Sequence, residues 1–172
     1  MAGVKKKGLD YYLKFLPLSL FGLFIITTII LIATGSLNGP SYEDYKEYKI
    51  KLEDSLNQGG SYLIYFYSEN CSNCDKIKKE VFSFIEKGYY SLYLIDGDDP
   101  DNKFKTITAQ ETGGYYDNSI NVGETDPFNI KLYGYPTIMI VIDGEIQLVG
   151  IGISGTENSP GVLDILEELS LY

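Results

Sequence analysis

Between Lys14 and Glu43 the chain carries no charged residue for 28 positions, and this run limits what the rest can fold into. Within it, residues 15–34, "FLPLSLFGLFIITTIILIAT", are long and apolar enough to cross a bilayer as a single helix. The lysine cluster that precedes the run leaves the amino terminus in the cytoplasm and sends the carboxy-terminal part of the chain across. The expected organisation is a basic cytoplasmic flank (1–14), a transmembrane anchor (15–37) and one extracytoplasmic domain (38–172). A cleaved signal peptide is the alternative. Against it, the run exceeds a typical signal core and "ATG" at Ala33–Gly35 is a poor cleavage site. On either reading the two cysteines meet an oxidising environment, in which a disulfide persists.

Composition excludes several chemistries. Up to Tyr42 there are four lysines against one aspartate, net +3, so the rest carries −13 of the total −10. All 14 basic residues are lysine, and an acidic domain without arginine does not suit a phosphate backbone. Histidine is absent, which removes Ser-His-Asp and Cys-His catalysis and imidazole-held metals. With 2 cysteines in all, a four-thiolate zinc or iron–sulfur site within one chain is excluded.

The domain reads as an ordered series of elements. Tyr45, Tyr48, Leu52 and Leu56 recur at helical spacing up to Gly59–Gly60, predicting an amphipathic helix over 41–60. "SYLIYFY" (61–67) is a buried strand, and Ile77, Val81 and Ile85 predict a helix from the cysteines to Gly88. "YYSLYLID" (89–96) is a second strand, closed by the acidic turn "DGDDPDN", whose spacing does not fit a calcium loop and which reads as solvated. Residues 103–129 read as an irregular, solvent-facing insertion, with a short helix near 127–133. "TIMIVI" and "EIQLVGI" flank Asp143–Gly144, a hairpin signal, and Val162, Ile165, Leu166 and Leu169 mark a final amphipathic helix.

This order predicts an α/β domain with a mixed sheet and helices on both faces. With the Cys71-x-x-Cys74 pair at a strand-to-helix junction and "YGYPT" (133–137) before the hairpin, the chain resembles the thioredoxin-like family over about 42–172. The resemblance implies thiol–disulfide exchange without a cofactor, using a redox-active Cys71–Cys74 disulfide, on client proteins with thiols or disulfides and a membrane or extracytoplasmic redox partner. It also implies that Pro136 is cis beside the cysteines and that the backbone of Tyr135 pairs with the substrate. Thioredoxins carry a tryptophan before the first cysteine and Gly-Pro between the two; here stand Asn70 and Ser72–Asn73. The family's buried aspartate is matched by Tyr65 and its partnering lysine by Leu92, leaving Glu69 as the nearest acid for proton transfer.

The residues give this chemistry a physical basis. A helix amino terminus stabilises a thiolate, so Cys71 is the expected nucleophile. Cys74, in phase with Ile77 on the buried side, is the expected resolving thiol. Two other readings stand beside it. A non-catalytic module stapled by the disulfide gains little, because the closed loop is tiny. A copper(I) carrier needs only two thiolates, but no histidine or methionine flanks the pair in sequence.

Overall fold

The computed structural model describes residues 21–30, 39–108, 111, 117–155 and 159–171. They fall in two units, divided between Gly39 and Pro40. In the first, residues 21–30 form a helix (α1) with Phe21, Leu23, Phe24, Ile26 and Ile29 exposed around it. The hydroxyls of Thr27 and Thr28 donate to the Phe24 carbonyl (2.9 and 2.8 Å), so both polar groups are satisfied within the helix. Among the described residues no helix is long and apolar enough to cross a membrane. The lysine flank and both ends of the apolar run lie outside the described residues.

The second unit is built on a four-stranded sheet of order β2-β1-β5-β6. Aromatic and β-branched residues make β1 (Ser61–Tyr67), buried on both faces after its first position. It pairs in parallel with β2 (Leu92–Asp96) and antiparallel with β5 (Thr137–Ile142). β5 returns through a two-residue turn into β6 (Glu145–Ile151). Asp143 (φ 51°) and Gly144 (φ 83°) are both left-handed there, the conformation in which a two-residue hairpin matches the twist of its strands.

Between β1 and β2 lies α2 (Ser72–Lys87), whose Ile77, Val81 and Ile85 are buried as their spacing predicts. The chain ends on α3 (Val162–Leu169). Both helices pack on the face carrying Leu63, Tyr65, Leu94 and Ile138. Helices on both faces were expected, but no α-helix covers the second face among the described residues. There Ile64, Phe66, Met139 and Val141 meet Leu52, Leu56, Ile130 and Leu132, which come from short 3₁₀ turns and a two-stranded parallel ribbon. That ribbon is β3 (Lys105–Thr106) with β4 (Lys131–Leu132).

The helix expected over 41–60 is absent. Two 3₁₀ segments, Tyr42–Tyr48 and Leu52–Asp54, stand in its place. Tyr42, Tyr45 and Tyr48 pack on the α2 face and Leu52 and Leu56 on the opposite one, so one straight helix cannot serve both. The crossing runs over the β2 edge, where Lys49 bridges Leu94 and Ile50 N–H donates to the Leu94 carbonyl (2.9 Å). The second strand begins at Leu92, three residues later than expected, and the helix near 127–133 is one 3₁₀ turn, Pro127–Asn129, followed by β4.

The insertion is not merely solvent-facing. Its residues 118–124 lie along the outer edge of β6: Gly123 N–H donates to the Ile146 carbonyl (2.8 Å) and Ile146 N–H to the Glu124 carbonyl (3.1 Å). Further along, Asn118 Nδ2 donates to the Val149 carbonyl (2.9 Å) and Ile151 N–H to the Pro160 carbonyl (3.1 Å). Gly113–Gly114 lie outside the described residues.

Candidate dithiol site

Cys71 is the N-cap of α2, with extended backbone (φ −90°, ψ 108°). Its Sγ accepts a hydrogen bond from Cys74 N–H (3.0 Å), the position at which a capping side chain takes one of the helix's unpaired donors. Negative charge on that sulfur faces the positive end of the helix. The two cysteines form a disulfide, their Cα atoms 5.2 Å apart. Cys71 is partly exposed, whereas Cys74 is fully buried in the cluster that holds Tyr65, Ile77 and Val81.

The loop 133–137 stands opposite. The Tyr135–Pro136 peptide is cis, and the Tyr135 carbonyl oxygen lies 3.4 Å from Cys71 Sγ. Tyr135 N–H has no hydrogen-bond partner among the described residues. Pro136 is buried, and its carbonyl accepts from Gly152 N–H (2.9 Å), which ties the loop to the segment leading into α3. Asp164 closes that segment: its Oδ2 accepts from Gly155 N–H (2.7 Å) and Gly161 N–H (2.8 Å). These two backbone bonds, Gly161 first, hold the Asp164 carboxyl below its usual range. Between the loops runs a groove of about 400 Å³ lined by Asn73, Asn118, Tyr133, Tyr135, Ser154 and Ser159 among others, with no charged residue among the described ones.

The structure thus brings Cys71, Cys74, Tyr135 and Pro136 together. It does not bring Glu69 to them. Glu69 is exposed, borders a hollow with Tyr42, Asp75 and Lys78, and makes no hydrogen bond to either cysteine among the described residues. The cluster that buries Cys74 holds a tyrosine stack instead. Tyr42 and Tyr67 have ring centroids 3.7 Å apart, and the Tyr42 and Tyr65 hydroxyls approach to 3.5 Å. Burial, the largest cause, pushes Tyr42 up to about 12 and raises Tyr65 and Tyr67 as well. Tyr135 is pushed up to about 12, first by burial and then by Asp98 and Asp96.

The acidic turn after β2, read from sequence as solvated, is tied into the fold. Asp98 Oδ2 accepts from Ser68 Oγ (2.9 Å), Glu69 N–H (3.0 Å) and Asn70 Nδ2 (3.3 Å). Lys51 Nζ reaches Asp99 (2.7 Å) and Asp101 (3.1 Å). Among the described residues no group of three or more His, Cys, Asp or Glu is placed to hold a metal ion.

A disulfide capping a helix that comes after a central strand, faced by a cis-proline loop, defines a thioredoxin-type dithiol site. The model of the thioredoxin-like domain family matches residues 48–157, and the chain belongs to that family. Thioredoxin-like proteins work without a cofactor, through a redox-active disulfide, on thiol or disulfide substrates. No curated protein matches the chain. Among solved structures it is similar to oxidised mitochondrial thioredoxin 3 of Saccharomyces cerevisiae (18% identity, 60% of this chain and 81% of that one, TM-score 0.39). It is also similar to thioredoxin F of spinach chloroplast (14% identity, 72% and 89%, TM-score 0.42).

Proposed function

We propose that the chain is a membrane-anchored thiol–disulfide oxidoreductase whose domain (38–172) works outside the cytoplasm on client proteins. The observation that carries the reading is the asymmetry of the pair: Cys71 is reachable at the start of α2, and Cys74 is buried one turn in. In the reduced protein the Cys71 thiolate attacks a client disulfide, forming a mixed disulfide and releasing one client thiolate. Cys74 then loses its proton, attacks Cys71 Sγ and releases the second client thiolate, leaving Cys71–Cys74 oxidised. With a dithiol client the same steps run in reverse. The client backbone pairs with Tyr135, whose N–H has no partner among the described residues and whose carbonyl lies against Cys71.

The anchor reading draws on the uncharged 28-residue run and on α1, apolar on every side with its threonine hydroxyls satisfied internally. It assigns 1–14 to the cytoplasm and 15–37 to the membrane, so protease added to intact cells removes the domain.

The exchange reading is tested by trapping. In Cys74→Ser, the mixed disulfide should accumulate as a higher-mass adduct that dithiothreitol releases, and it should be missing in Cys71→Ser. A folded, correctly placed Cys74→Ser protein without such an adduct ends the reading. A disulfide staple yields none, and a copper(I) carrier loses metal binding in both variants.

A further inference from the structure

The two-residue turn after β2, Gly97–Asp98, touches both halves of the site. Its own position is fixed: Gly97 N–H donates to the Tyr67 carbonyl at the end of β1 (2.7 Å), and Asp98 N–H donates to Asp96 Oδ1 (2.9 Å). From there the Asp98 carboxylate gathers the three residues before the nucleophile through its bonds from Ser68, Glu69 and Asn70. Ser68 passes the constraint on. Its Oγ accepts Asn70 N–H (3.2 Å) and its carbonyl accepts Cys71 N–H (3.1 Å), so the capping geometry of Cys71 hangs from Asp98. Gly97 serves the other half. A Cβ built on it would fall on the Tyr135 Oη, Cζ and Cε1 atoms, which means that the Tyr135 ring lies directly on the glycine. Phe104 meets the same ring edge-on, with centroids 6.1 Å apart.

We infer that the Gly97–Asp98 turn is the positioning element of the site: Asp98 sets the approach of Cys71 through the Ser68–Asn70 segment, and Gly97 sets Tyr135 for pairing with a peptide client. This rests on the exchange reading. It divides the labour between neighbours. Asp98 acts on the thiolate of Cys71 whatever attacks it, because loosening the cap takes the sulfur away from the helix end that stabilises its charge. Gly97 acts only on clients long enough to lie along Tyr135.

The test uses the reduced full chain in detergent, with three readouts: the pH profile of Cys71 alkylation, exchange with a cystine-bridged peptide, and exchange with a small aromatic disulfide. In Asp98→Ala the alkylation midpoint should rise by roughly one pH unit, cutting the rate below both midpoints about tenfold. Asp98→Asn, which keeps an acceptor oxygen for Ser68 and Glu69, should retain most of the parent profile. Gly97→Ala should leave that profile unchanged and slow the peptide about tenfold through KM, with the small disulfide unaffected. Adding Tyr135→Thr to Gly97→Ala should restore part of the peptide rate by removing the ring that the new methyl displaces.

An unchanged or lowered midpoint in Asp98→Ala overturns the inference, as does an Asn variant that behaves like the Ala variant, because charge and not geometry then matters. Gly97→Ala slowing both disulfides equally also overturns it. If Asp98→Ala does not fold, Ser68→Ala removes the same restraint from the other side and should move the midpoint upward by less. A parent protein whose Cys71 titrates as an ordinary thiol fails the exchange reading itself. A depressed parent midpoint that no variant shifts fails only the positioning inference.

Discussion

The two faces of the central sheet are closed by different means. Under α2 and α3 the seal is made by side chains: Ile77, Val81, Phe82 and Ile85 from one helix, with Val162 and Ile165 from the other, cover Leu63, Tyr65 and Leu94. On the opposite face the covering segments are short and irregular, and apart from the two-residue β3–β4 ribbon their backbone groups form no ladder of their own among the described residues. Polar side chains take the place of one. Asn102 Oδ1 accepts Leu52 N–H (2.9 Å) while its Nδ2 donates to the Asp96 carbonyl (2.8 Å). Asn121 meets both the N–H and the carbonyl of Lys131 (2.8 Å each), and Tyr62 Oη donates to the Ser55 carbonyl (2.9 Å). A helix brings its hydrogen bonds with it and can be laid on a sheet by apolar contact alone. An irregular cover has to be pinned group by group.

If that contrast is right, truncating an apolar side chain on the helical face should hurt most. Phe82 is buried against Tyr45 (3.9 Å between centroids) and Tyr42 (5.2 Å), so Phe82→Ala should cost about 3–5 kcal/mol in urea unfolding of the full chain in detergent. A loss below that of any asparagine variant on the other face would break the comparison.

The same face should show next in its response to alkali. Tyr42 is held protonated to about 12 against an ordinary 10.0, with Tyr65 and Tyr67 raised in the same sense. A raised folded value means that the folded protein keeps a proton which the unfolded chain releases. The contribution is therefore complete below pH 10 and is lost as pH climbs through the folded values, on the order of 2–3 kcal/mol for Tyr42. Phenolate absorbance should rise in two stages, with the buried rings ionising only as the fold gives way. A single stage at ordinary pH would place these rings in water.

On the irregular face, Asn102→Ala leaves Leu52 N–H and the Asp96 carbonyl unpaired and should cost about 1–2 kcal/mol. Hydrogen exchange sharpens the point: protection should fall around residues 50–56 and stay level in α2. The smallest expected effect is at the carboxylate closing the loop before α3. Asp164→Ala should cost about 1 kcal/mol at neutral pH. Because its folded pKa is depressed, the difference from the parent should fade as acid protonates the carboxyl.

The contrast between the faces also marks what the sequence allows one to read. Ile77, Val81 and Ile85 repeat with one helical face and are stopped by Gly88, so α2 was legible from first to last residue. The hairpin at Asp143–Gly144 was legible because its signal lies in two adjacent positions. Tyr45, Tyr48, Leu52 and Leu56 keep the same spacing yet serve opposite faces, and only the pull of the β2 edge on Lys49–Ile50 decides the matter. At the site, the cysteines and "YGYPT" are short consecutive motifs, so the two arms were visible separately. What holds them together was not: Asp98 finds Ser68 across 30 positions of sequence, and no local pattern announces such a bond. The tyrosine stack of Tyr42, Tyr65 and Tyr67 was likewise hidden, because its first member, Tyr42, comes from a segment read as part of a helix.

The cover over β6 bears on the company this domain keeps. A bare strand edge is the surface on which extended, apolar segments with unpaired backbone add and accumulate. Here the Ile146, Val149 and Ile151 backbone groups are already taken by Gly123, Glu124, Asn118 and Pro160. The insertion and Pro160 between them cover an edge on which a further strand could otherwise pair. On the exchange reading proposed above, a client meets instead the short Tyr135 segment, whose N–H has no partner among the described residues, a contact too short to seed a growing sheet.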